Sequence, residues 1–130
     1  MTRAKEIMEK LSEDIDHEAL ELAIIFHDID YNSEENTEKN YENHVDNSIK
    51  VAGSFLQENN YPAERIKKVQ QIMLDHSSPH RKIFGDAKSI EGKIIYDADK
   101  SIFITTPELY ERYFDKLYLD ETREMVKPTK

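Results

Sequence analysis

No cysteine occurs among the 130 residues. That excludes disulfides, thiolate ligands and structural zinc-finger chemistry together, so any bound metal has to be held by His, Asp and Glu. Long apolar runs are also missing. The longest uninterrupted one covers residues 22–26, far short of the roughly 20 residues a membrane span needs. Residues 1–11 form a charged helical pattern rather than a secretion signal. These features predict a soluble, cytoplasmic protein without a membrane partner. A basic block is missing as well: 27 acidic against 18 basic residues leave a formal charge of -9. Such a surface repels a phosphate backbone and argues against general nucleic-acid binding, while a small anionic substrate remains open if a cation sits in the site. Apolar–polar alternation nowhere runs the length of a strand, and there is no internal repeat. The expectation is an all-α, single-domain bundle over 1–130, with a core at about 3–119 and a charged tail at 120–130.

Helical periodicity divides the chain into five to six helices. Residues 3–12 place Ala4, Ile7, Met8 and Leu11 on one stripe. Asp16 caps a second helix over 17–28, and a third spans about 41–59 with Val45, Ile49, Ala52, Phe55 and Leu56 facing inward. Pro62 opens a fourth, whose stripe of Ile66, Val69, Gln70 and Met73 ends on His76. A fifth covers about 90–104, and the last runs from Pro107 to about 119. Residues 32–40 carry no apolar side chain and read as a connector, with a lid as the rival use. Residues 77–88 read as a loop, in which His80, Arg81 and Lys82 form a solvated basic cluster in preference to a phosphate contact. His17 reads as exposed. The aromatic face of Tyr110, Tyr113, Phe114 and Tyr118 packs on the body of the chain or forms a homodimer contact, the former being preferred.

The least expected stretch is residues 22–30, where the apolar run ends on His27 followed at once by Asp28. Leu20, Ala23, Ile24 and His27 share helical spacing, so an imidazole is delivered to the face that packs inward. Leaving it without partners there costs on the order of 2–7 kcal/mol. One cation satisfies the imidazole and the carboxylate together. The alternative is a core histidine bonded to a backbone carbonyl, with Asp28 capping a loop. His44 and His76 stand near helix ends. Asp97 and Asp99 lie inside a hydrophobic segment, where aspartate is uncommon.

His27-Asp28, His44, His76 and Asp97-Ala98-Asp99-Lys100 thus come from four helices. At this point the chain resembles the HD-domain superfamily of metal-dependent phosphohydrolases, over about residues 3–105. Leu-Ala-Ile-Ile-Phe-His-Asp-Ile is similar to the helix that ends in that family's name-giving pair, and Ile-Ile-Tyr-Asp-Ala-Asp-Lys to its aspartate helix. The resemblance implies that His27, Asp28 and Asp99 are metal ligands, with Asp97 as the fallback for Asp99. His44 and His76 fall where two-metal members place further histidines. It implies one or two divalent ions (Mn, Fe, Co, Ni, Zn or Mg) and a small phosphorylated substrate hydrolysed by activated water. Lys100 would contact substrate phosphate, or else snorkel from a buried helix, and His44, if not a ligand, would act as general acid. The family's first histidine has no counterpart ahead of residue 3. A shortened or displaced start, an altered ligand set, and a catalytically degenerate HD-fold binding or interaction module each account for that. The first is preferred because the other expected ligands are all in place.

Overall fold

A computed structural model describes residues 2–27, 38–102 and 104–127, with side chains described throughout that range except at 38–44. Eight α-helices lie among the described residues: α1 (Thr2–Lys10), α2 (His17–Phe26), α3 (Glu38–Glu58), α4 (Ala63–Asp75), α5 (Ser78–Phe84), α6 (Ile90–Ser101), α7 (Pro107–Tyr113) and α8 (Asp120–Val126). A 3-10 turn over Phe114–Lys116 follows α7. No strand occurs among these residues, and no helix is long and apolar enough to cross a membrane.

α4 is the central element, with α2, α3 and α6 packed around it, while α1 lies against α6 and α8. The apolar stripes read from the sequence meet here: Leu20 and Ala23 of α2, Ala52 and Leu56 of α3, Val69 and Met73 of α4, and Ile94, Ile95 and Ala98 of α6 are all buried, and Ile72 of α4 joins them. Phe55 departs from the expected inward stripe. It lies at the rim of α3, half exposed, with its ring 5.5 Å from that of Phe26.

Capping fixes how α2 enters this core. The Asp16 side chain accepts a hydrogen bond from Ala19 N at 3.1 Å, satisfying one of the free N–H groups at the helix start. The same carboxylate receives both guanidinium nitrogens of Arg65 on α4, and Lys68 Nζ lies 3.3 Å away. Lys68 also faces Glu91 Oε1 of α6 at 3.5 Å, and Glu91 Oε2 accepts from Asp16 N at 3.1 Å. One polar network therefore ties together the amino-terminal regions of α2, α4 and α6. The hydrogen bond from Arg65 is the main reason that the Asp16 carboxyl lies well below the usual carboxylate range.

The stretch 77–88 is not a loop throughout, because α5 occupies its first half. Ser77 Oγ accepts from His80 N at 3.3 Å, Pro79 sits in the first turn, and Gly85 ends the helix at φ 92°. Proline and glycine act here as start and stop signals of a short helix. Arg81 is not in a solvated cluster either. Its guanidinium lies over the rings of Tyr118 and Tyr96, at 4.0 and 4.9 Å from their centroids, and its Nε donates to Asp86 Oδ1 at 3.0 Å. Two further boundaries move: the fifth predicted helix stops at Ser101, and the last is interrupted after Tyr113. The cause of the second is long-range. The buried Asp97 carboxylate accepts from Tyr118 N at 2.8 Å and Leu119 N at 2.9 Å, which holds this stretch out of helix until α8 begins.

Candidate metal centre

α2 and α4 each end on a histidine in the C-cap position, His27 and His76. At a helix end the last carbonyls have no intrahelical donor, and both rings exploit this in the same way. His27 Nδ1 donates to Ile24 O at 2.5 Å, and His76 Nδ1 donates to Met73 O, in each case the carbonyl three residues back. A carbonyl only accepts, so Nδ1 carries a proton in both rings. This is the outer hydrogen bond that orients and tunes metal-binding imidazoles. The backbone bond proposed for a purely structural His27 is thus present.

Because α2 and α4 pack together, the two rings meet edge to face with centroids 5.2 Å apart. Both are buried. α6 brings Asp99 to them: His27 Nε2 lies 4.0 Å from Asp99 Oδ1, closer than twice a metal–ligand bond of about 2.1 Å. Burial holds the His76 ring at about 4, opposed by the Asp99 carboxylate and the Met73 carbonyl and reinforced by His27 and Lys100. Lys100 completes the group, its Nζ 3.1 Å from Asp99 Oδ2 and its side chain largely buried.

The structure therefore brings together His27, His76, Asp99 and Lys100. Asp28 lies outside the described residues. His44 belongs to α3, but its side chain is also outside them. Among the described residues no three His, Asp or Glu groups come close enough to hold an ion. Asp97, the fallback ligand, is fully buried and engaged with the backbone of residues 118 and 119. Burial pushes its carboxyl up, and those hydrogen bonds pull it down. The residue types suit a divalent cation: one imidazole faces a carboxylate at 4.0 Å, and a second imidazole lies edge to face with the first. The sequence reading missed the Ile24 and Met73 carbonyls that orient both rings. The cap position of each histidine, three residues beyond an unsatisfied carbonyl, was the signal available for them.

Tyr118 of the aromatic face packs on the body of the chain, its hydroxyl accepting from Ala87 N at 2.9 Å and its ring 5.1 Å from Tyr96. No curated protein and no solved structure matches the chain. A family model described as HD domain matches residues 1–102, well over half of the 130. With His27 of the name-giving pair and Asp99 of the aspartate helix facing each other across α2 and α6, the chain belongs to the HD domain family.

Proposed function

We propose that the chain is a metal-dependent phosphohydrolase acting on a small phosphoester or nucleotide. His27, Asp28 and Asp99 are the ligands of one divalent ion, joined by His44 and His76 where two ions bind. One observation carries this reading: two cap histidines bonded alike to the backbone, one facing Asp99 at 4.0 Å and the other close enough to feel its charge. When bound, a divalent ion polarises a phosphoryl oxygen and lowers the pKa of water towards neutrality. Mn, Fe, Co, Ni, Zn and Mg all suit such mixed nitrogen and oxygen donors.

The chain's own residues prepare the site. Burial keeps His76 unprotonated at neutral pH, the form in which an imidazole binds a metal. The carbonyls of Ile24 and Met73 fix both ring planes before any ligand arrives. Lys100 holds an ammonium beside Asp99, where it offsets carboxylate charge, and we assign it the contact to a substrate phosphate. His44 is assigned as general acid for the leaving oxygen whenever it is not a ligand. The formal charge of -9 favours a small substrate over a nucleic-acid polymer.

The second reading, a catalytically degenerate HD-fold binding module, is favoured by the same Lys100–Asp99 pair, since a lysine that neutralises the carboxylate competes with a metal for it. Elemental analysis of protein purified without chelator, followed by a panel of phosphomonoesters, phosphodiesters and nucleotides, separates the two. The enzyme reading expects bound metal and turnover of at least one panel member, both lost in Asp99→Ala. Metal-loaded protein inert across the panel would leave the module reading.

A further inference from the structure

Most acidic side chains buried or half-buried in the described core are met by cations or by several N–H groups. Asp16 has Arg65, Lys68 and Ala19 N; Glu91 has Lys68 and Asp16 N; Asp97 has two backbone N–H groups; Asp99 has Lys100. Asp75, at the carboxyl end of α4, is different. It is 7 % exposed; among the described residues its one hydrogen bond comes from the neutral amide of Gln71, 3.1 Å from Oδ1, and the titratable group that acts on its charge is the His80 ring rather than a lysine or arginine. A Cβ at residue 92 of α6 would fall 2.2 Å from Asp75 Oδ2, so only glycine there leaves the carboxylate its place. The N–H of Gly92 does not serve it, being donated to Ser89 Oγ at 3.0 Å. Glycine weakens a helix relative to alanine, and an under-bonded buried carboxylate is unfavourable. Neither feature contributes to the metal centre.

Asp75 opens onto a cavity of about 490 Å³ between α4, α5 and the segment leading to α6, a size suited to a small organic molecule. None of His27, His76 or Asp99 lines it. On one side stand the rings of His80 and Phe84, centroids 4.7 Å apart and inclined by 32°. Asp86, also at its edge, is engaged by Arg81, which leaves Asp75 as the carboxylate acceptor; Lys88 lines the same cavity.

We propose that this cavity is a second binding site, for a small organic ligand with a planar basic nitrogen group of the amidine, guanidine or amino-heterocycle type. Its N–H groups bond the Asp75 carboxylate in the fork geometry such groups favour, and its flat body lies against Phe84 and His80. Neither the metal nor hydrolysis enters this assignment.

The test is an NMR titration of the full chain with benzamidine, and with benzoate as an anion of the same shape, following backbone amide shifts. Benzamidine should shift Asp75, His80, Phe84 and Ser89 saturably at millimolar concentration, with benzoate at least tenfold weaker. Asp75→Asn should weaken benzamidine at least tenfold. Phe84→Ala, at a residue 73 % exposed and so safe for folding, should weaken it several-fold and keeps the question decidable if the first variant is unstable. Absence of a saturable benzamidine shift, an equal response to benzoate, or unchanged binding in either folded variant would overturn the assignment.

Discussion

Asp97 accepts two backbone N–H groups from a fully buried position, while Asp99, on the same helix, faces His27 and Lys100. Two positions along an α-helix turn a side chain by about 200°, so one carboxylate is directed at the chain after α7 and the other at α2. Asp97→Ala should therefore behave as a stability variant. Each orphaned N–H costs about 1–3 kcal/mol, and urea unfolding should show a loss of about 2–6 kcal/mol for the two. A loss below about 1 kcal/mol would mean that Asp97 does not hold residues 118 and 119. Lys100→Met removes the ammonium beside Asp99. If Lys100 binds substrate phosphate, KM should rise several-fold with kcat little changed, whereas a fall in kcat alone would place its role elsewhere. In the sequence both aspartates carried the same signal, amid apolar neighbours. Only resemblance separates them there, because the partners of Asp97 lie about twenty residues further on.

The network joining α2, α4 and α6 gives the element scale its own test. Asp16 caps α2 and receives Arg65 and Lys68, so Asp16→Ala should lose about 1–2 kcal/mol at neutral pH. That figure is kept small because Arg65 is partly exposed and solvent screens the pair. The carboxyl is held low in the folded chain, so on acidification the unfolded chain takes up its proton first, near 3.9. The contribution of Asp16 is complete above that value and is lost as pH falls towards the folded pKa. Denaturation from about pH 5 to pH 2 should show wild type and Asp16→Ala converging, and a gap independent of pH would contradict the linkage. Elements with apolar stripes were legible from spacing, since burial of one face is a local pattern. α5 was not, because Pro79 and Gly85 read equally as loop residues until Ser77 is seen capping His80. The interruption after Tyr113 was hidden for another reason: it is imposed by a carboxylate on α6.

At the scale of the molecule, packing around α4 turns cap residues of separate helices into neighbours. His27 and His76 could be singled out beforehand because each ends an apolar stripe. Asp75, one residue before His76, could not, since what distinguishes it is Gly92 on α6 and the ring pair on α5. The central claim is that His27 and Asp99 share one divalent ion. It is tested most directly by metal content per chain after loading with Mn, Co or Zn and removal of excess. The account predicts at least one tightly held ion in the native chain, retained when the exposed His17 is replaced by alanine and lost in both His27→Ala and Asp99→Ala while each remains folded. No retained ion in the native chain, or native stoichiometry in either of those two variants, would contradict it.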